Sequence, residues 1–225
     1  MAENEVACFA RGFACDPSDI EVLDLISGAP SSADLDRADV VLLGGSGDYS
    51  VVEGGPWLPA ALEAMRALYE SGRPTFASCW GFQAMARALG GEVVTDRERA
   101  EVGTKWMEVT AAGKEDPVFG PLGDRFQVCI GHEDIVTRLP EGATLLASSA
   151  TIENEVFCFP DKPIYATQFH PELARLDLIA RIRRYPHYLE MTGHSTMQEF
   201  EDATPETPEA ESILPRFLAH VLGQG

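Results

Sequence analysis

The amino-acid sequence predicts an α/β fold with a doubly wound, mostly parallel central sheet and antiparallel edge strands. Through about residue 90, short apolar runs that end in glycine or a tight turn alternate with helical patterns. This alternation is typical of a parallel sheet covered by helices. Between residues 102 and 169 the helical patterns give way to short β-type runs separated by Gly, Pro and Asp turns. We therefore expect antiparallel strands to extend the sheet at its edge.

The length and composition fit one globular domain. The 225 residues are 45% hydrophobic, which is ordinary for a folded protein with a core. A net charge of -19 repels nucleic acid phosphates and anionic membrane surfaces. No apolar run approaches the roughly 18 residues of a membrane span, and no signal peptide is recognisable. A cytoplasmic location and no contact with nucleic acid or membrane are expected.

The first elements follow from the apolar runs. Residues 40–43 are predicted to form a buried strand that leads into a glycine loop, and residues 58–69 a helix. A second strand over residues 75–78 leads into a helix over residues 82–89. Residues 6–13 could be helical or extended, and the sequence does not decide. Whether a first core strand is missing stays open, because residues 1–5 are too short and polar to form one.

The later elements are shorter. We predict strands at residues 106–110, 126–130, 144–147, 156–159 and 164–168. A helix is expected over residues 176–184 and a last amphipathic helix over about residues 212–222. The doublet Thr-Pro-Glu at residues 204–209 is typical of a loop or hinge. Residues 174–210 are therefore predicted to be a helical and loop insertion before the last helix.

Cys79 is the candidate nucleophile. It lies where a short strand turns into a helix, with small neighbours Ala77 and Gly81 on either side. Such a turn exposes the reactive atom at a helix N-terminus, where backbone amides and the helix dipole favour a thiolate. The alternative is a buried core cysteine, which is common. The other four cysteines form no C-x-x-C pair, so neither a disulfide framework nor a zinc site is indicated.

His170 and Glu172 are the candidate base and orienting carboxylate. They lie two residues apart at the end of a predicted strand, where residues i and i+2 point to the same side. In this arrangement His170 takes the proton of Cys79 and Glu172 fixes the imidazole through its other nitrogen. The alternative for a lone His-x-Glu pair is a solvated strand end.

The glycine loop at residues 44–47 is a candidate source of oxyanion donors, because its backbone amides are not obstructed by side chains. The amide of Trp80 at the elbow is a second candidate. A plain turn is the alternative for this loop. A phosphate cradle is disfavoured, since no G-x-G-x-x-G and no following Gly-Lys-Ser/Thr are present. No cofactor is expected.

Three segments together resemble the class I, or triad-type, glutamine amidotransferases. The family's elbow reads about G-x-C-x-G-x-Q and its triad ends in H-P-E, which correspond here to residues 77–83 and 170–172. A third segment, residues 131–136, is similar to the family's S-H-x-D-x-V. The resemblance spans residues 38–173. The chain looks like a stand-alone domain similar to the glutaminase domain of GMP synthetase, although Ala77 and Gly131 depart from the family's usual residues.

The resemblance implies the roles of further residues. It implies that the backbone amides of Gly45 and Trp80 form the oxyanion hole and that Gln83 helps to hold glutamine. It also implies that the substrate's α-amino and α-carboxylate groups are received by backbone at Gly131, His132, Glu133 and Asp134. From spacing alone His132 has no second metal ligand, so no metal site is expected. The arginines at positions 181, 183 and 184 read as a solvated helix face, or as a site for carboxylates or an anionic substrate.

The function implied by the resemblance is hydrolysis of the glutamine side-chain amide through a cysteine thioester. L-glutamine is the expected substrate, and a synthetase partner is expected to accept the ammonia. A γ-glutamyl hydrolase or peptidase would use the same three residues, so the triad does not separate these two enzymes. A non-catalytic regulatory homologue is the alternative from another class.

Overall fold

A seven-stranded sheet organises the chain, of which the computed structural model describes residues 2–223. The strands lie in the order β1-β2-β9-β8-β7-β4-β5, and β3 and β6 form a separate two-stranded sheet. Their bounds are β1 Val41–Leu43, β2 Thr75–Ser78, β3 Glu92–Thr95, β4 Glu101–Val109, β5 Arg125–His132, β6 Asp134–Arg138, β7 Thr144–Ser149, β8 Val156–Phe159 and β9 Ile164–Thr167.

The sheet is parallel on one side and antiparallel on the other. Strands β1, β2 and β9 run parallel to one another. From β9 onward every neighbouring pair in the sheet is antiparallel. The α/β class with antiparallel edge strands is confirmed. The short sheet of β3 and β6 was not predicted, because strands of four and five residues carry little periodic signal.

Ten helices surround these sheets in the described residues. Their bounds are α1 Ala2–Phe13, α2 Ser32–Asp36, α3 Leu58–Ser71, α4 Trp80–Ala88, α5 Ala111–Glu115, α6 Arg175–Arg184, α7 His187–Met191, α8 Met197–Ala203, α9 Pro208–Glu211 and α10 Ile213–Val221. Residues 6–13, for which the sequence allowed two conformations, are helical. Among residues 2–223 no helix is long and apolar enough to cross a membrane.

Helices cover both faces of the sheet, and strand β2 shows how. Successive side chains of a strand point to opposite faces. Phe76 faces the side where the ring of Phe217 from α10 lies 5.2 Å away. Ala77 faces the other side, in the apolar cluster that includes Met65 of α3 and Phe82 of α4. Strand β2 is therefore buried on both faces, which fixes the position of the residue that follows it.

The doublet at residues 204–209 is part loop and part helix, and it is not a free hinge. Thr204 and Thr207 are buried. The hydroxyl of Thr207 lies 3.7 Å from the thiol of Cys129 in β5. The hydroxyl of Thr204 donates to the carbonyl of Phe200 in α8. These buried contacts hold the segment against the sheet. The predicted loop is present at residues 204–207, but the buried contacts do not fit a hinge.

Strand β1 is the edge of the sheet, and an apolar cavity lies beside it. The cavity has a volume of about 750 Å³ and is bounded by β1, α1 and residues 20–26. Val22 in this segment is 59% exposed. Because β1 has a neighbour on one side only, its other edge faces this space.

The start of α4 packs directly on β1 through Gly81. A Cβ atom at Gly81 would lie 2.5 Å from Cβ of Leu43 and 2.8 Å from its carbonyl oxygen. The amide of Gly81 donates to the carbonyl of Gly44 at 3.2 Å. Only glycine allows this approach of helix to strand.

We expect Gly81→Ala to lower the free energy of unfolding by about 1–3 kcal/mol, because an added methyl group overpacks this contact. Gly131→Ala is the matched control, since a Cβ there meets nothing within 4 Å. Urea denaturation of both variants measures the difference. Equal unfolding free energies for the two variants would show that the packing of Gly81 is not restrictive.

Candidate active site

Cys79 stands in a strained turn between β2 and α4. Its backbone has φ 50° and ψ -103°, a conformation that a residue with a side chain rarely adopts. Such a conformation costs on the order of 1–3 kcal/mol and persists only where the surroundings enforce it. The amide of Cys79 donates to the carbonyl of Thr167 at the end of β9, at 2.8 Å. The turn therefore holds the thiol at the end of the parallel strands and at the N-terminus of a helix.

His170 and Glu172 meet beside this turn. Nδ1 of His170 lies 2.6 Å from Oε1 of Glu172, so the ring N–H donates to the carboxylate. The other ring nitrogen is left on the side of Gly45 and Cys79. Strand alternation does not explain this pairing, because β9 ends at Thr167 and both residues lie in the turn beyond it. The two side chains are neighbours as predicted, but strand alternation was the wrong reason.

The pair is buried and electrostatically coupled. Burial alone would lower the pKa of His170, but the charges of Glu172 and Cys79 outweigh it and raise that pKa to about 9. Burial alone would raise the pKa of Glu172, but attraction to His170 outweighs it and lowers that pKa. The imidazole is therefore held in its charged form at neutral pH against a charged carboxylate.

Two arginines complete the surroundings of Glu172, and neither was predicted there. Arg181 of α6 is largely buried, with Nη1 3.5 Å from Nδ1 of His170 and Nη2 3.9 Å from Oε1 of Glu172. Arg11 of α1 donates to the carbonyl of Glu172 at 2.9 Å. Arg181 was expected on a solvated face. Arg181 follows Leu178 by three residues, so both side chains lie on the same face of α6. This spacing from an apolar residue was the sequence feature that could have predicted a position facing the protein interior.

The predicted oxyanion donor Gly45 is engaged by a carboxylate of the same chain. Its amide donates to Oε1 of Glu5 in α1 at 2.8 Å. A Cβ at Gly45 would lie 2.7 Å from Cε1 of His170 and 3.5 Å from Cβ of Cys79, so this glycine lies against both side chains. Burial, followed by repulsion from Glu172, raises the pKa of Glu5. Nothing in the sequence marked Glu5, because the structure of residues 6–13 was undecided.

Trp80 is the first residue of α4, where a helix leaves its amides without partners inside the helix. This amide is the second predicted oxyanion donor. The thiol of Cys79 points toward the carbonyl of Gly131, with Sγ 3.8 Å from the oxygen. Gly131, predicted as a substrate contact, therefore lies next to the thiol.

Two further predicted substrate residues, Gln83 and Asp134, are connected by a hydrogen bond. Gln83 is buried, and its amide nitrogen donates to the carbonyl of Asp134 at 2.9 Å and to Gln168 at 3.1 Å. The carboxylate of Asp134 accepts from Ser50 at 2.6 Å and from Thr95. These contacts join α4, β6 and the loop after β1.

His132 and Glu133 point in opposite directions from the end of β5. Nδ1 of His132 lies 3.0 Å from the carbonyl oxygen of Asp134, and the ring is buried. Glu133 is partly exposed and forms an ion pair with Arg97 at 2.9 Å. The side chain of His132 therefore points into the protein, away from the surface that Glu133 reaches.

Helices from residues 174–210 close over the thiol. A cavity of about 70 Å³ contacts Cys79, His170 and Glu5, and it is bounded on its outer side by Tyr185 and Tyr188. Helix α6 is anchored in an apolar cluster through Leu178, Ile179 and Ile182, together with Cys8 of α1. An engineered protein cavity that binds benzene has a volume of about 150 Å³. The space beside the thiol has less than half of that volume and is therefore too small for an amino acid.

Comparison with known proteins gives a match to one protein family, described as Glutamine amidotransferase class-I, over residues 15–176. A glutamine-hydrolyzing GMP synthase of Allorhizobium ampelinum is 30% identical over 189 residues, which are 83% of this chain and 35% of that protein. One subunit of the glutamine-hydrolyzing GMP synthase of Methanothermobacter thermautotrophicus is 34% identical over 123 residues, or 55% of this chain and 64% of that protein. The chain thus spans less than two thirds of these relatives.

The fold also matches solved structures. A glutamine amidotransferase from Thermotoga maritima superposes with a TM-score of 0.72 at 22% identity, covering 90% of this chain and 86% of that one. At this identity the match shows the fold.

The charge on His170 should make stability depend on pH. The folded pKa of about 9 lies above the value of about 6.5 for an unfolded chain. The stabilisation is therefore complete below pH 6.5 and is lost as pH rises through 9. We expect the unfolding free energy to fall more in wild type than in His170→Gln over this window. Urea denaturation at several pH values tests this, since groups that do not contact His170 titrate alike in both proteins. Parallel pH profiles would contradict it.

Proposed function

Because the chain belongs to the class I glutamine amidotransferase family, we propose that it hydrolyses the side-chain amide of L-glutamine, with Cys79, His170 and Glu172 as its catalytic residues. The observation that carries this proposal is the position of Cys79. Its strained turn faces an imidazole whose other nitrogen is bound to a buried carboxylate at 2.6 Å. That is the arrangement of nucleophile, base and orienting group that acyl transfer requires.

In this reaction the sulfur of Cys79 attacks the side-chain carbonyl of glutamine. The amides of Gly45 and Trp80 donate to the developing oxyanion. His170, which already holds its proton as a charged imidazolium, gives that proton to the leaving nitrogen, so that ammonia departs and a γ-glutamyl thioester remains. The neutral imidazole then deprotonates a water molecule, which attacks the thioester, releases glutamate and restores the cysteine sulfur beside the charged imidazole. Glu172 keeps the imidazole oriented and stabilises its charged form.

The substrate's α-amino and α-carboxylate groups would be received by backbone between Gly131 and Asp134. The proximity of the Gly131 carbonyl to the thiol supports this placement. Gln83 would act by holding the Asp134 carbonyl in position. The contribution of Glu133 would be made by its backbone, since its side chain is paired with Arg97.

Two features support a low basal rate that a partner increases. Glu5 engages the Gly45 amide that the oxyanion needs, and the cavity of about 70 Å³ is too small for glutamine. Entry of substrate would require movement of α1 or of the helices in residues 174–210. A synthetase that takes up the ammonia is the proposed partner, and the relative that is itself one subunit of a GMP synthase supports this class. Residues 174–210 would form the lid and the docking surface.

We expect Cys79→Ala to lower the glutaminase rate by about 10⁴-fold or more, because the nucleophile is lost. His170→Ala should be nearly as damaging, and Glu172→Gln less so, since the orienting member usually matters less. Circular dichroism checks that the fold is retained. Steady-state rates on glutamine and on γ-glutamyl peptides measure the losses and the preference.

Labelling with a glutamine-like diazo ketone, followed by mass spectrometry, should modify Cys79. The other cysteines, Cys8, Cys15, Cys129 and Cys158, serve as internal controls because all five are free thiols. Modification of one of these four, with an active Cys79→Ala variant, would remove Cys79 from the mechanism. Faster turnover of γ-glutamyl peptides than of glutamine would replace the amidotransferase by a γ-glutamyl hydrolase.

Glu5→Ala should raise the basal glutaminase rate of the isolated chain by about tenfold or more. A hydrogen bond to a charged group is worth about 1.5–3 kcal/mol, and this variant removes it from the Gly45 amide. Glu3→Ala is the matched control, because Glu3 is an exposed carboxylate on the same helix. An unchanged or lower rate in Glu5→Ala would show that Glu5 does not obstruct the site.

A further inference from the structure

A second group of ionisable side chains lies inside the protein, apart from the proposed catalytic residues. It consists of Glu101 in β4, His132 in β5 and Glu155 just before β8. One ligand atom from each residue lies within 4.8 Å of the others. These residues are far apart in sequence, so their meeting is a product of the sheet order, and no local spacing could predict it.

The three side chains are buried, and most of their polar atoms have neither a hydrogen-bond partner nor an opposite charge. The exposed fractions of Glu101, His132 and Glu155 are 3%, 4% and 0%. One oxygen of Glu101 accepts from Ser149 at 3.0 Å. The other oxygen of Glu101, both oxygens of Glu155 and Nε2 of His132 have no hydrogen-bond partner. Within residues 2–223 no lysine or arginine forms an ion pair with either carboxylate. Buried carboxylates of this kind require a cation or protons.

The imidazole of His132 presents a lone pair to this group. Nδ1 lies 3.0 Å from the carbonyl oxygen of Asp134. A carbonyl only accepts, so Nδ1 carries a hydrogen, and Nε2 is the ring nitrogen that can offer a lone pair to a metal ion. Nε2 faces Oε2 of Glu101 at 3.9 Å. Histidines that bind metals have this second contact, in which the other ring nitrogen donates to a backbone carbonyl.

Protonation of the carboxyl groups would explain how their charges are buried, but it would not explain the unpaired Nε2 of His132. Burial, and then the neighbouring Glu101, raise the pKa of Glu155 well above its ordinary value, so a proton shared by these two residues would neutralise one charge. It would leave Nε2 of His132 unpaired. Adding a proton to Nε2 would not correct this, because 3.9 Å is too long for a hydrogen bond. Two metal–ligand bonds of about 2.1 Å at a tetrahedral angle place their donor atoms about 3.4 Å apart, so a shift of about half an ångström would bring the two atoms to this separation.

We propose that Glu101, His132 and Glu155 bind a divalent transition-metal ion of the zinc type, with one imidazole nitrogen and two carboxylates as ligands. Mixed nitrogen and oxygen ligands suit such an ion. The ion neutralises both carboxylates and joins β4, β5 and the start of β8. Because His132 follows Gly131, whose carbonyl faces the thiol of Cys79, the ion fixes the backbone beside the proposed nucleophile. The site has a structural role and does not depend on the proposed glutamine hydrolysis.

The test uses the full chain without a polyhistidine tag, refolded from denaturant with and without Zn²⁺ and then dialysed, because a buried site fills during folding. Elemental analysis should give about one zinc per chain, and the melting temperature should rise by several degrees in the zinc-refolded protein. His132→Gln and Glu155→Gln should bind at least about tenfold less zinc. Glu153→Gln, which removes an exposed charge two residues away, should bind zinc as wild type does.

Zinc below about a tenth of an equivalent in wild type, with an unchanged melting temperature, would overturn the proposal and leave a shared proton as the account of the cluster. Equal zinc content in wild type, His132→Gln and Glu155→Gln would also overturn it, by placing the ion elsewhere. If the two variants do not fold, the comparison of wild type refolded with and without Zn²⁺ decides.

Discussion

The turn at Cys79 is the constraint on which the rest of the structure depends. A residue with a side chain is held at φ 50°, and the cost is offset by strand β2, which is paired on both edges and buried on both faces. Gly81 lets the following helix start directly against Leu43. The same strand order brings the end of β9 next to the turn, so the loop carrying His170 and Glu172 arrives beside the thiol. The sheet therefore builds the site, and the helices enclose it.

The helices that enclose the site affect both its electrostatics and the access of substrate to the thiol. The chain has a large excess of acidic residues, yet two arginines from distant helices, Arg11 and Arg181, are placed around Glu172. After His170, Arg181 lowers the cost of burying that carboxylate, which in turn keeps His170 charged. Since α1 and α6 also form the walls of the small cavity, any motion that admits substrate alters the field at the imidazole. Access and charge are linked through the same two helices.

The sequence was sufficient for those parts of the site that depend on local patterns. The strand-to-helix turn at Cys79 and the proximity of His170 and Glu172 followed from short segments, although the reason given for the second was strand alternation and the structure uses a turn. Glu5 and Arg181 could not be predicted in their positions, because each is brought in by the packing of a helix whose partner lies far along the chain. The same holds for Glu101 and Glu155, which reach His132 only through the order of the strands. Site residues within one short segment could be predicted from the sequence, whereas residues brought together by long-range packing could not.

The open edge of β1 has a consequence for the behaviour of the protein in solution. Unpaired backbone groups on an edge strand are a template for pairing with another chain, and the flanking segment exposes Val22, Leu23 and Ile26. Mutual repulsion from a net charge of -19 opposes such contacts between copies. Repulsion of this kind reaches only about 10 Å at 0.1 M salt and about 3 Å at 1 M. The colloidal stability of the chain is therefore expected to decline as ionic strength rises.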